Sequence, residues 1–157
     1  MEKERIGGLF VRKLYSAAFL LAIVVLLMAG CGNKKIEMIE KSSVSLSEDG
    51  KQLDVHITLD DVNMEPETSY QVRLYVTNSE LVKALGSDLF VFEGEYISHK
   101  EGEGSKVTEI NESFSLTKSL TEAELQKIVE DKEVNALEID VLNNERVFAT
   151  EGIHTVE

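Results

Sequence analysis

The most reactive side chain in this sequence belongs to its single cysteine, Cys31. A thiol is the most nucleophilic of the neutral side chains, and its sulfur can be alkylated, oxidised or bound to zinc. Because no second cysteine is present, the sequence contains neither a disulfide framework nor a cysteine-based zinc site. Cys31 directly follows a long apolar run and two small residues, so its surroundings point to membrane attachment.

The three histidines, His56, His99 and His154, show no catalytic or metal-binding pattern. A hydrolase of the G-x-S-x-G type needs a serine on a tight turn, and the sequence has no such motif. A histidine metal site needs a local spacing such as H-x-x-x-H, which is also missing from the sequence. We therefore predict ordinary surface histidines, no catalytic residues, no metal site, no cofactor, and a protein that is not an enzyme.

An acidic stretch, DDVNMEPE at residues 60–67, is the best candidate for calcium binding. Asp61, Asn63 and Glu65 have the spacing of the first three ligands in an EF-hand loop. The required glycine is replaced by Pro66 and the final glutamate by Val72, so we predict a solvated turn. A second acidic group is also predicted to be solvated, and it comprises Glu93, Glu95, Glu101 and Glu103.

The charge is distributed unevenly along the chain. The formal net charge is −13, and residues 1–30 contain four basic and two acidic residues, which leaves 12 − 27 = −15 for the remainder. A strongly acidic body argues against binding nucleic acid, since phosphate contacts need a surface rich in lysine and arginine. It also argues against a face that lies flat on anionic lipid.

The first thirty residues have the layout of an export signal. A charged segment at residues 1–16 precedes the apolar run at residues 17–28, and small residues follow. Together with Ala29 and Gly30 the uncharged run has 14 residues, whereas a helix that crosses a bilayer needs about 20. This order predicts a signal peptide at residues 1–30. The alternative is an uncleaved signal-anchor helix in which Cys31 has no role.

The residues Met28-Ala29-Gly30-Cys31 resemble the lipobox of bacterial membrane lipoproteins, in which an apolar residue and two small residues precede the cysteine. The family prefers leucine at the position of Met28, which is likewise apolar and unbranched. The resemblance implies a diacylglycerol on the sulfur of Cys31, cleavage between Gly30 and Cys31, and an N-linked acyl chain such as palmitate. It therefore implies a lipid-anchored protein on the extracytoplasmic side of the cell membrane.

Downstream of Cys31, apolar residues recur with a period of two, which is typical of half-buried strands. The clearest strand is QLDVHITLD, and YQVRLYVT is another, with Arg73 and Tyr75 on its solvent face as in many protein interfaces. Gly50 suits a hairpin turn, and Asn143 with Asn144 suits a second tight turn because asparagine tolerates a positive φ. Two helices are predicted, one capped by Asn78 or Ser79 and ended by Gly86, the other begun by a capping box of Thr121 and Glu124.

Many short strands separated by turns predict a mainly β fold, an antiparallel sandwich of about seven strands with one or two short helices. The outline resembles an immunoglobulin-like sandwich, and an α+β fold is the alternative. We assign residues 31–43 to a lipidated N-terminus and tether, and residues 44–157 to the sandwich. About ten extended tether residues span roughly 33 Å, enough to lift the domain clear of the lipid headgroups.

The anchor and the small acidic sandwich predict an extracytoplasmic binding or accessory module. Its partners are the membrane, through the lipid anchor, and a protein or envelope polymer, whereas nucleic acid is excluded. A free sheet edge could also accept a strand from a partner, although the sequence does not identify that edge. The alternative is a calcium-dependent adhesion or envelope-binding module.

Overall fold

The structure is a computed structural model that describes residues 35–157; the predicted signal peptide, the cleavage site and Cys31 lie outside the described residues. The described part contains eight strands and two short helices. In chain order they are β1 (Ile39–Leu46), β2 (Gln52–Asp60), β3 (Ser69–Val76), α1 (Ser79–Leu85), β4 (Leu89–Val91), β5 (Tyr96–Ile97), β6 (Val107–Ser115), α2 (Glu122–Val129), β7 (Leu137–Leu142) and β8 (Val147–Gly152).

The strands form two antiparallel sheets. The first sheet has the order β1-β2-β6, and the second has the order β4-β3-β7-β8, with β5 also paired to β3. The prediction of a mainly β antiparallel sandwich with two short helices is confirmed. One strand more is present than predicted, because the run after Ser87 turns at Gly94, whose φ is 111°, and so forms both β4 and β5.

The core lies between the sheets and follows from the alternation in the sequence. Strands β2, β3 and β7 each bury every second side chain and present the others to solvent. The buried set includes Leu53, Val55, Ile57, Leu59, Tyr70, Val72, Leu74, Leu137, Ile139 and Val141. Burial of each such aliphatic side chain contributes about 1.5–3 kcal/mol to the free energy of unfolding. These three strands therefore supply much of the core on which the loops are placed.

Both helices begin at the caps that their sequences predict, and α1 also ends at its predicted glycine. The side chain of Asn78 accepts hydrogen bonds from the first-turn amides of α1, and Gly86 ends that helix in the left-handed conformation. The Thr121 and Glu124 capping box opens α2. In the part of the chain described here, neither helix has the length and apolar character needed to cross a membrane.

The first strand begins earlier than the sequence predicts. Strand β1 starts at Ile39, five residues before the expected domain boundary at Val44. A register shift between Ile39 and Lys41 interrupts the alternation of buried and exposed side chains. The sequence therefore shows no period of two there, although the backbone stays paired with β2. Ahead of β1, the amide of Ile36 donates to Phe148 O at 2.8 Å. Residues 39–43 therefore belong to the sandwich and not to the tether.

The β7–β8 turn is tight, as predicted, but its mechanism differs from the expected one. Neither Asn143 nor Asn144 has a positive φ; among the described non-glycine residues only Glu67 does. Instead, the side-chain oxygen of Asn143 accepts hydrogen bonds from the amides of Glu145 at 2.9 Å and Arg146 at 3.0 Å. The asparagine therefore stabilises the turn as a hydrogen-bond acceptor.

The β1–β2 turn at residues 47–51 is packed against the segment that leads into α2. Gly50 has a φ of 64°, and a Cβ at this position would lie 2.7 Å from the carbonyl oxygen of Leu120. Gly102 has a similar φ of 80°, but no atom lies within 4 Å of its Cβ position.

We predict that Gly50→Ala destabilises the domain by roughly 3 kcal/mol, because backbone strain is added to a clash with backbone. The matched change Gly102→Ala has only the strain of the left-handed conformation and is expected to cost about 1 kcal/mol. Urea unfolding at constant m-value measures both effects. Equal midpoints for the two variants would show that the contact with Leu120 O is unimportant.

Candidate binding cleft

The side chain of Asp61 is buried just after the end of β2. Asp61 is 1% exposed, although its neighbours in the loop are mostly exposed to solvent. One carboxylate oxygen accepts the backbone amide of His99 at 2.6 Å. The other accepts the amide of Lys106 at 2.6 Å and the ring Nδ1 of His99 at 3.0 Å. One carboxylate therefore fixes both ends of the segment at residues 99–106.

Three hydrogen bonds keep this carboxylate charged inside the protein. Burial on its own would raise the pKa of Asp61, because a low dielectric disfavours the charged form. The amides of Lys106 and His99, followed by the His99 ring, outweigh burial and hold the pKa below its usual value of 3.8. The folded state therefore favours the carboxylate, and this contribution to stability is present at neutral pH.

The other side of the same loop is held by Ser98 and Glu67. Ser98 is buried, donates its hydroxyl hydrogen to Glu65 O at 2.7 Å, and accepts the amide of Thr68 at 2.9 Å. The amide of Glu67 donates to His99 O at 2.9 Å, and Glu67 itself has a φ of 55°. A positive φ at a non-glycine residue is strained and persists only where its surroundings impose it.

These interactions shape a cleft between the 60–67 loop and the 97–106 segment, here named the loop-end cleft. Its volume is about 850 Å³, within the usual range for small-molecule sites. Its lining combines one exposed aliphatic side chain, Ile97, with charged side chains of both signs. The lining residues are Glu67, Ile97, Ser98, His99, Lys100, Glu103, Gly104, Ser105 and Lys106.

The chemistry available in the cleft is recognition by hydrogen bonds, charge and apolar contact. With Nδ1 of His99 donating to Asp61, its ring is fixed in orientation and 13% of the side chain remains exposed. An aspartate and histidine pair of this kind could act as a base toward a hydroxyl. The buried hydroxyl of Ser98 is already committed to Glu65 O, so it is not arranged as a nucleophile for His99.

At this site one sequence prediction holds in part and another was wrong. The 60–67 segment is a mostly exposed turn, as predicted, but Asp61 within it is buried, with backbone donors 38 and 45 positions later in the chain. His99 was predicted as an ordinary surface residue, yet it holds Asp61 through its amide and its ring. No local motif signals either interaction, because both depend on a loop far away in the sequence.

The remaining candidate calcium ligands are used separately. The Asp60 carboxylate accepts the amide of Val62, and the side chain of Asn63 donates to Glu37 O. Glu65 accepts the Ser98 hydroxyl through its backbone carbonyl and not through its carboxylate. Within residues 35–157, no three acidic, histidine or cysteine side chains lie close enough together to hold a metal ion. The second acidic group is exposed, as predicted, and comprises Glu93, Glu95, Glu101 and Glu103.

The other two histidines stabilise local structure. His56 lies 2.7 Å from Asn111 Oδ1 across the β2–β6 ladder. His154 contacts Val129 O at the end of α2, at 3.2 Å, and Asn135 Oδ1 at 3.1 Å. These contacts fit structural roles.

Arg73 and Tyr75 lie on the outer face of the second sheet, as predicted, and both are half-buried. Arg73 is paired with Val91 and Tyr75 with Leu89, and these two β4 side chains are 51% and 38% exposed. The face is therefore more apolar than the sequence alone suggests. It has the composition of an interface, but nothing in the described residues indicates what would cover it.

Comparisons of the chain with known proteins give no relative: no family model, no curated protein and no solved structure matches it.

We predict that Asp61→Asn destabilises the domain by about 2 kcal/mol at pH 7, because the amide offers its own hydrogens to backbone donors that then lack an acceptor. The folded-state pKa of Asp61 is depressed, so its advantage is complete above the unfolded value of 3.8. It is lost as the pH falls through the folded-state pKa. The difference between wild type and variant should therefore shrink in acid.

Urea unfolding between pH 7 and pH 3 measures this dependence. The adjacent change Asp60→Asn is the control, because Asp60 accepts only the amide of Val62, which an asparagine oxygen can also accept. We expect that control to shift stability by no more than about 0.5 kcal/mol. If the two variants unfold alike, the Asp61 carboxylate does not hold the loop.

Proposed function

We propose that this protein is a lipoprotein, anchored through lipid on Cys31 at the extracytoplasmic side of the cell membrane, whose β-sandwich is a binding module. The observation that carries the proposal is the position of the sole cysteine, directly after an apolar run and two small residues. The signal peptide of residues 1–30 is removed in this proposal. Three acyl chains on one cysteine exceed the two needed for stable attachment.

The entry of the chain into the sandwich supports a membrane-proximal binding site. Ile36 is bonded to β8, and Asn63 contacts Glu37 O, so the N-terminal segment reaches the domain beside the 60–67 loop. That loop contains Asp61, which holds the loop-end cleft. Five residue steps separate Cys31 from Ile36, a reach of at most about 18 Å. The cleft therefore lies at the end of the sandwich where the chain enters it, at Ile36 and Glu37.

The loop-end cleft supports a role in binding. Its floor is fixed by buried hydrogen bonds to Asp61 and Ser98, so a ligand meets a preformed surface. Ile97 is 51% exposed at the wall, and Lys100 and Lys106 lie among glutamates at the rim. A cleft that combines the exposed side chain of Ile97 with charged groups of both signs suits a ligand that has both apolar and charged parts, from a protein or an envelope polymer.

The anchor is tested by the intact mass of full-length protein extracted from membranes of a bacterial host. We expect residues 31–157 plus a diacylglycerol and an acyl chain, and we expect Cys31→Ser to remain uncleaved or to be released without lipid. A mass equal to all 157 residues without lipid would contradict the proposal and favour a signal-anchor helix.

The binding role is tested by a photo-crosslinking residue placed at Ile97 in whole cells. Val134 is the matched control, since it is an apolar residue of similar exposure, 55% against 51%, and it is not among the cleft residues. We expect an adduct specific to Ile97 that is absent from Cys31→Ser protein released without lipid. Identical adducts at both positions, or the same Ile97 adduct on the released protein, would argue against a membrane-proximal binding cleft.

A further inference from the structure

Strand β6 forms one edge of the first sheet. It pairs with β2 along its whole length, from Asp60↔Val107 to Gln52↔Ser115, without a register shift. Glu112 shares a face with Ile110 and Phe114, and the strand accommodates it without a bulge. Nine residues at about 3.4 Å each make an edge roughly 30 Å long. Long, regular edges are templates for an added strand.

The register shows which backbone groups of β6 point away from the sheet. Asp61 N donates to Lys106 O, and Leu116 N donates to Lys51 O, so the hydrogen-bonded pairs contain the even-numbered residues of β6. The amides and carbonyls of the odd-numbered residues therefore face outward. These residues are Val107, Glu109, Asn111, Ser113 and Ser115. Among residues 35–157, no hydrogen bond reaches their outward backbone groups.

The other long edges are covered by the chain itself. On β1, the amide of Val44 donates to Thr155 O, and the amide of Glu157 donates to Val44 O, so the C-terminal segment lies along that edge. On β8, Phe148 O accepts the amide of Ile36. Strand β4 has only three residues. In the described part of the chain, β6 is thus the long edge without a partner.

The side chains around this edge define the chemistry of an added strand. Phe114 is half-buried, and its ring centroid lies 4.5 Å from that of Phe90 in the second sheet. Glu112, two residues earlier on the same face, is also half-buried. Burial raises the pKa of the Tyr96 phenol, and the negative charge of Glu112 raises it further. Apolar and acidic positions therefore alternate along the inner rim.

We propose that β6 binds an extended peptide segment of a partner by adding it as a strand to the first sheet. The backbone of the segment pairs with the outward groups of the odd-numbered residues. Its inward side chains are a lysine or arginine beside Glu112 and an apolar residue beside Phe114, two positions apart. Glu109 adds a second acidic group on the solvent face.

Charge favours a cationic partner over a second copy of this chain. The sequence after residue 30 has a net charge of −15, so two such bodies repel each other. Pairing β6 with itself would also leave each half-buried Glu112 without a cation. The proposal concerns a partner for the binding module, and it holds whether or not Cys31 is lipidated. Failure of the anchor and failure of strand addition are therefore separate results.

The test uses full-length protein in detergent and a fluorescent, end-blocked peptide, Thr-Val-Thr-Lys-Thr-Val-Thr-Lys-Thr. Fluorescence anisotropy measures its binding, and a peptide with glutamate in place of lysine tests the charge requirement. We expect Glu109→Pro to weaken binding about tenfold, because it removes an outward amide and places a ring at the pairing edge. Glu109→Gln keeps the amide and is expected to have a smaller effect.

Two further measurements keep the test decisive if Glu109→Pro fails to fold. A peptide that is N-methylated at alternate residues lacks the amide hydrogens along one of its two edges. It should not bind to the wild-type protein through that edge. Glu112→Gln should weaken the lysine peptide and not an uncharged threonine analogue. Equal binding of methylated and unmethylated peptides, or no binding of the lysine peptide, would overturn the proposal. A dimer by sedimentation that Glu109→Pro abolishes would instead show that a second copy occupies the edge.

Discussion

The loop end of this domain depends on one buried charge. The Asp61 carboxylate would be costly to bury alone, and it is tolerated because two backbone amides and an imidazole donate to it. The same bonds satisfy amides that the 99–106 loop would otherwise leave without partners. The hydrogen bonds that stabilise the buried charge are therefore the same ones that fix the loop. The cleft has a fixed floor because these bonds connect the end of β2 to the segment between β5 and β6.

A second constraint is that every sheet must end in strands with unpaired backbone groups. The C-terminal residues pair with the outer edge of β1, and Ile36 pairs with the outer edge of β8. Because Ile36 is already hydrogen-bonded to β8, only five residue steps separate Cys31 from the first paired residue, fewer than the about ten extended residues expected for the tether. Covering the β8 edge and shortening the segment after Cys31 are thus consequences of the same hydrogen bond. Strand β6 is the long edge that this arrangement leaves open among the described residues.

Sequence reasoning succeeded where structure is determined by near neighbours. The period of two in β2, the Asn78 cap and the capping box of Thr121 and Glu124 act within a few residues, so their patterns are visible in the sequence. It failed where partners are distant or irregular. The bulge after Ile39 hides the start of β1, and the burial of Asp61 depends on donors 38 and 45 positions later. The free edge of β6 is a property of sheet order, which no local pattern encodes.

Under the proposed anchoring, the acidic charge of the body acquires a physical role that its fold does not require. The segment from Cys31 to Ile36 reaches at most about 18 Å, which is about two Debye lengths at physiological salt. An anionic surface repels a body with a net charge of −15, which disfavours a face of the sandwich lying flat on the lipid. Strand β6 begins beside Lys106 at the cleft, so the charge that keeps the domain off the lipid keeps both surfaces open to partners.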